Sequence, residues 1–489
     1  MVFSARLFAA ALVARSALGG FVQSPREEVP AAVQHRRSFE YKGEAVDAVL
    51  QIQSPSGLCD PQVKQHSGYF TFGEAKKQYF FWMFESRSDP ANDPTVMWLT
   101  GGPGCSSMTG LLFESGPCKV NADGETTSVN PYSWNTRANV MWVDQPPGTG
   151  FSKGTWDHDE NGVAEDMYQF LQALFKAMPE FNKKFFVTGD SYAGHFIPAV
   201  THRIFEGNQK LADGDVEIQL KGMGIGSGLT DPTEQYKWYP DMMCKGGGYA
   251  PPAINSSALC ADLRALVPVC EASLAGCNSK VPGVNTAACL AAHEACNLAF
   301  QLPYFATDRN PYDMRIKCAK PPLCYDMSND VKFLNDAAVQ KQLGVVSRFE
   351  SCNLIINKAF TVDFMKNYHQ LIPPMLEAGI DVLIYAGDQD FICNWLGNEK
   401  WTLALDWSHK AEFNAAGKKP FIVKGREVGA MDGKEVAELR SHANFHFPRV
   451  YQAGHMVPMD QPQAALGMLN ALLDGSFLET PSSAELVVT

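Results

Sequence analysis

Four continuous apolar runs constrain this chain more than any other feature: TVMWLT (95–100), ANVMWVD (138–144), KKFFVTG (183–189) and DVLIYAG (381–387). A strand with one face in water alternates apolar and polar residues, whereas a run without a polar face is buried on both sides, as in a parallel sheet covered by helices. Helical patterns fall between the runs. Val163, Met167, Phe170, Leu171, Leu174, Phe175 and Met178 form one stripe that Pro179 stops, so the second and third runs enclose a helix in a βαβ unit. A last helix is predicted at about 462–474, opening at Pro462 and ending at Gly475. The expected fold class is therefore α/β, with a mostly parallel central sheet and helices on both faces.

With 41 Lys+Arg against 53 Asp+Glu in 489 residues, the formal net charge is −12. Binders of nucleic acid or anionic membranes draw affinity from clustered cations, so neither class is expected. The 45% hydrophobic and 19% charged content supplies a large core and argues against general disorder. Residues 1–20, MVFSARLFAAALVARSALGG, have a basic start, an apolar stretch and small residues before the end, the pattern of a secretory signal. No other stretch reaches the ~18 to 20 apolar residues of a membrane span. Residues 21–45 are polar with charges of both signs and are expected to be a propeptide or flexible arm rather than core.

Eight of the 13 cysteines crowd between Asp231 and Phe349, a region without strong strand runs. No C-x₂-C pair occurs there, and the separations suit bridges better than zinc ligands. Residues 231–349 thus read as an inserted, disulfide-stapled cap subdomain, dividing a core into 46–230 and 350–489.

The strongest chemical signal is Gly189-Asp190-Ser191-Tyr192-Ala193-Gly194, directly after the run KKFFVT. A nucleophile elbow places Ser on a strained strand-to-helix turn, with small residues two positions before and after it so that the backbone can pass. Gly189 and Ala193 meet that demand. Asp390 follows DVLIYAG, and His455 follows FPRVYQ in the loop AGHMVP, giving the order Ser191, Asp390, His455 of α/β-hydrolases. His455 would accept the Ser191 proton, and the carboxylate would hold the imidazole tautomer. Asp388 is the rival acid in the same loop. The glycines after TVMWLT expose backbone N–H groups: Gly102 is the candidate first oxyanion donor and Tyr192, after the nucleophile, the second. The chemistry requires no metal or cofactor. His442 and His446 lie on a strand approach without acidic co-ligands. Asn255-Ser256-Ser257 is the single N-x-[ST] sequon, a glycan site if the chain is secreted.

WLTGGPGCSS, GDSYAGH, YAGDQDFICNWLGN and AGHMVPMDQP resemble the hallmark blocks of the serine carboxypeptidases, in particular the carboxypeptidase Y-like members. The similarity runs from about His66 to Leu473. It implies an α/β-hydrolase fold with a helical, disulfide-rich cap, vacuolar, lysosomal or extracellular delivery, and release of C-terminal amino acids from peptides and proteins at acidic pH. The family's site for the substrate carboxylate falls on Thr100, Gly101, Glu114 and Asp190. Two neighbouring acids would share a proton, and the protonated one can donate to that carboxylate. The same similarity implies bridges Cys105–Cys352, Cys244–Cys260, Cys270–Cys296, Cys277–Cys289 and Cys318–Cys324, with Cys393 a free thiol near the active site. Cys59 and Cys118 have no counterpart; twelve cysteines remain once one thiol is set aside, and their pairing is left open.

Two positions depart from the family pattern, which has Asn at Thr100 and Glu at Asp190. These departures resemble the acyltransferases of the same family, so acyl transfer from sugar esters, or esterase action, is the alternative. A protective or scaffold role is the third reading. Oligomeric state is not legible in the sequence.

Overall fold

The computed structural model describes residues 31–73, 76–246, 251–279, 285–321 and 323–479. The segment read as a signal peptide lies outside the described residues. One twelve-stranded sheet organises the molecule. Its strands are β1 (Val33–Tyr41), β2 (Glu44–Gln53), β3 (Gln65–Phe72), β4 (Lys77–Phe84), β5 (Thr95–Thr100), β6 (Asn139–Val143), β7 (Phe185–Asp190), β8 (Leu220–Gly226), β9 (Asp381–Gly387), β10 (Lys419–Ile422), β11 (Glu435–His442) and β12 (Phe445–Val450). The spatial order is β1-β2-β3-β4-β6-β5-β7-β8-β9-β12-β11-β10.

The expectation of a mostly parallel sheet describes the centre, where β6, β5, β7, β8, β9 and β12 run parallel. Both wings are antiparallel. The four apolar runs become β5, β6, β7 and β9, whose residues are buried apart from the half-exposed Asp381. Strand β8, LKGMGIG, carries no such signature because glycines replace its apolar side chains; a Cβ at Gly226 would come within 2.4 Å of the Tyr385 ring.

Successive strand residues point to opposite faces, so Met97 and Leu99 feed one core while Val96 and Trp98 feed the other. Helix α1 (Glu160–Ala177) covers the first face together with α2 (Ala193–Gln209). Helices α3 (Ser257–Ala265), α4 (Val267–Cys277) and α5 (Asn285–Phe305), from the cysteine-rich region, extend that core. Helix α6 (Pro462–Asp474) covers the opposite face and ends on Gly475 in the left-handed conformation, which glycine adopts without a Cβ penalty.

Residues 33–41 are not a loose arm. They form edge strand β1, paired antiparallel with β2. Alternate residues turn inward: Phe39 and Tyr41 pack against the core, and Arg37 pairs with Asp215 at 2.9 Å. Of the charges on this strand, Arg36 and Glu40 are exposed and Arg37 is taken up by Asp215; residues 21–30 of the expected arm lie outside the described residues.

The bridges are Cys59–Cys118, Cys105–Cys352, Cys244–Cys260, Cys270–Cys296, Cys277–Cys289 and Cys318–Cys324. All eight cysteines between Asp231 and Phe349 are thus bridged. Two bridges, Cys270–Cys296 and Cys277–Cys289, clamp α4 to α5. Six disulfides belong to an oxidising compartment, as in the secretory pathway. Among the described residues, no helix is long and apolar enough to cross a membrane.

Candidate active site

Ser191 stands between the end of β7 and the start of α2 with φ +65°. Such a conformation costs on the order of 1–3 kcal/mol in a non-glycine residue and persists only where surroundings enforce it. Here the Ser191 N–H donates to Gly226 O at 3.0 Å, and its carbonyl accepts from Leu229 N at 3.0 Å. Close packing explains the small neighbours: a Cβ on Gly189 would lie 2.0 Å from Leu99 O and one on Gly194 would lie 2.4 Å from Leu229 O. Ala193 fits, fully buried, where the common pattern has glycine.

His455 follows β12, and its ring Nδ1 lies 2.7 Å from Asp390 Oδ2. Its backbone N–H donates to Tyr312 O at 2.7 Å, and the Tyr312 ring lies beside the imidazole. Burial disfavours the imidazolium, but the charge and hydrogen bond of Asp390, with the Asp190 charge, outweigh it and raise the His455 pKa. Asp388 turns elsewhere, accepting from Gln389 Nε2 at 2.8 Å, and burial pushes it up to about 6. The geometry therefore couples His455 to Asp390 and not to the rival acid.

One cleft brings together Ser191, His455, Thr100, Gly102, Glu114 and Asp190. Glu114 sits on the π-helical turn Gly110–Ser115 and is 1% exposed. Burial, and then the nearby Asp190 charge, lift its pKa well above the carboxylate range. Asp190 is pushed up to about 6 by burial, with the His455 charge and backbone N–H groups, including that of Gly101, opposing the rise. Thr100 Oγ1 accepts from Trp98 Nε1 at 2.8 Å, which leaves its own proton available for a group in the cleft. Gly101 is forced by proximity, since a Cβ there would come within 2.3 Å of Tyr192 N. This contact sets the glycine turn after β5 against the backbone of the elbow.

A second, aromatic pocket also reaches Ser191 and Gly102, lined by Tyr192, Tyr236, Tyr239, Phe305, Phe364 and Cys393 among others. Cys393 is the free cysteine; burial, and then the Asp390 charge, raise its thiol pKa well above the ordinary value. His446 is remote from this chemistry: it is 3% exposed, hydrogen-bonded to Ser441 at 2.7 Å, and burial lowers its pKa to about 3. His442 instead packs beside the His409 ring. Asn255 is exposed.

Several site residues gave no sequence signal. Tyr312 and Tyr325 come from the cysteine-rich region 231–349, and Asn353 and Asn357 line the cleft beside Cys352. The Cys105–Cys352 bridge anchors this last segment to the glycine turn, and Asn357 Nδ2 donates to Gly102 O at 3.0 Å. That pairing was the one available pointer to them.

Residues 55–475 match the model of the family described as serine carboxypeptidase. A "Carboxypeptidase Y homolog A" of Uncinocarpus reesii is 42% identical over 451 residues, covering 91% of this chain and 80% of the relative. One from Trichophyton verrucosum is 43% identical over 453 residues, covering 91% and 80%. Among solved structures, a prohormone-processing carboxypeptidase of Saccharomyces cerevisiae, Kex1(delta)p, superposes with a TM-score of 0.74 at 27% identity, covering 86% of this chain and 94% of the other. With an α/β-hydrolase fold, a serine elbow lining the same cleft as a buried histidine–carboxylate pair, and a family match over most of its length, the chain belongs to the serine carboxypeptidases.

Proposed function

We propose that Ser191 is the nucleophile of this serine carboxypeptidase, His455 its base and Asp390 the carboxylate that orients His455. His455 takes the Ser191 proton as the hydroxyl attacks the last peptide carbonyl; the Gly102 and Tyr192 N–H groups receive the oxyanion. Collapse of the tetrahedral intermediate breaks the C–N bond, and His455 returns the proton to the leaving amino acid. Water, activated by the same imidazole, then releases the acyl group from Ser191. The observation that carries the reading is the placement of two buried carboxyls, Glu114 and Asp190, in the cleft that holds Ser191 and His455. A shared proton there, with the Thr100 hydroxyl and the Gly101 backbone, recognises a terminal carboxylate and selects the last residue of a peptide.

The raised Glu114 and Asp190 values support work at acidic pH, because the recognising proton leaves as pH rises. The raised His455 value acts against this, because the imidazole must be deprotonated to take the Ser191 proton. The exposed sequon at Asn255 and the disulfide content support a glycosylated enzyme delivered by an N-terminal signal to a vacuole, a lysosome or the exterior. Thr100 and Asp190 give the acyltransferase reading its one specific support.

The test is incubation with an N-blocked dipeptide and, separately, with a sugar ester plus an acceptor alcohol. Free C-terminal amino acid is expected, and Ser191→Ala should lower its release on the order of 10⁶-fold. Acyl transfer from the sugar ester without any amino-acid release would replace this reading with the acyltransferase.

A further inference from the structure

Helix α5 breaks the usual rule for surface helices. Its inner side is apolar, with Cys289, Ala292, Cys296, Phe300 and Tyr304 buried. Its outer side is apolar as well: Leu298, Leu302 and Phe305 are 56%, 57% and 46% exposed. Spacings of four and seven residues put these three on one stripe. Across its 21 residues the helix carries one acidic or basic charge, Glu294. A helix that is hydrophobic all round is ordinarily buried, and a contiguous apolar face left in water marks a binding surface.

The stripe is continuous with the active site. Phe305, its last member, lines the aromatic pocket together with Ser191 and Tyr192, as does Gln301 one turn before it. Glu114 and Asp190 line the other cleft. On the carboxypeptidase reading, on which this inference rests, the leaving amino acid therefore occupies that cleft. The residue retained on Ser191 occupies the aromatic pocket, and the rest of the peptide exits past Phe305. From Phe305 back to Leu298 the helix advances about 10 Å at ~1.5 Å per residue, the length of about three extended peptide residues. The net charge of −12 disfavours acidic chains on this surface.

We infer that Leu298, Leu302 and Phe305 form an extended subsite for apolar side chains on the two or three residues upstream of the acyl residue. The enzyme then acts preferentially on long, apolar C-terminal segments, of the kind that unfolded proteins expose. From Leu298 to Phe305 the outer face of α5 has the chemistry of its occupant: Glu294, exposed one turn before Leu298, bounds it, and beyond that residue it presents no charge and selects hydrophobicity over sequence.

The experiment compares N-blocked pentapeptides sharing their last two residues, with either Leu or Gly at the three upstream positions, and the N-blocked dipeptide of those last two residues. The Leu peptide should exceed the Gly peptide about tenfold in kcat/KM, mainly through KM; tenfold corresponds to ~1.4 kcal/mol. In Leu298→Ser/Leu302→Ser and in Leu298→Glu/Leu302→Glu the ratio should fall to about twofold or less. Equal kcat/KM for the two pentapeptides, or a Leu preference that survives both variants, overturns the subsite while leaving the carboxypeptidase reading intact. Absence of amino-acid release from all three peptides overturns both. A Leu298/Leu302-dependent dimer, or Leu298/Leu302-dependent sedimentation with phosphatidylcholine vesicles without a peptide preference, assigns the stripe to another occupant and also overturns it.

Discussion

The Tyr192 hydroxyl donates to Asp363 Oδ2 at 2.9 Å, so the residue after Ser191 is anchored by its side chain as well as by its backbone carbonyl, which accepts from His195 N. Asp363 is fully buried and also accepts from Tyr368 Oη at 2.8 Å and Lys366 Nζ at 3.0 Å. Glu160 lies behind it; burial, and then the Asp363 charge, raise the Glu160 pKa well above the ordinary value. His195 stacks on Tyr192, with ring centroids 4.4 Å apart.

Removing Asp363 should therefore destabilise the protein more than removing one of its donors. Tyr192→Phe leaves Asp363 with two other partners and should cost about 1–2 kcal/mol, while Asp363→Ala takes the acceptor from the buried Tyr192 hydroxyl and from the half-buried Tyr368 and Lys366 and should cost about 2–3 kcal/mol. Urea unfolding of both variants measures the difference; equal losses would show that Tyr368 and Lys366 gain nothing from Asp363.

The hydrogen bond from His455 to Asp390 separates two acids two residues apart. Asp390→Asn should lower kcat about 10⁴-fold by favouring the wrong imidazole tautomer. Asp388→Asn should leave kcat within a few-fold of wild type, since that carboxyl is bonded to Gln389. Single-turnover rates on a neutral ester suffice for the comparison.

The Glu114–Asp190 pair predicts opposite pH responses for two substrates. As pH rises through about 6, the value to which burial pushes Asp190, the recognising proton is lost and KM for peptides should rise. A neutral ester has no carboxylate to place and should show only the His455 limb, gaining rate as the imidazole deprotonates. Stability carries the same sign. A carboxyl whose folded pKa lies above its unfolded value favours folding fully below the unfolded value, near pH 4, and this contribution is lost as pH rises to about 6. A KM for peptides independent of pH between 4 and 7 would remove the pair from substrate recognition.

Cys393 lines the aromatic pocket and holds its proton tightly. A bulky mercurial should therefore slow hydrolysis of substrates that fill this pocket, and Cys393→Ser should abolish the inhibition. Iodoacetamide, which needs the thiolate, should react far more slowly at neutral pH. Unchanged mercurial inhibition in the variant would assign it to another group.

What the sequence determined by itself was local. Strands β5, β6, β7 and β9 are legible because a strand buried on both faces has no polar positions. The elbow at Ser191 is legible because backbone crowding admits only small residues at Gly189 and Ala193. Tertiary structure decided what depends on residues far apart in the chain. Asp388 and Asp390 are chemically identical, and only the approach of His455 from β12 distinguishes them. Edge strand β1 reads as a charged arm until Asp215 is brought to Arg37. Cys59 and Cys118 become a bridge through the packing that brings their Cα atoms to 5.2 Å. The aromatic pocket exists because the fold brings Phe305, Phe364 and Cys393 to Ser191 from segments more than a hundred residues away, a relation that no local pattern encodes.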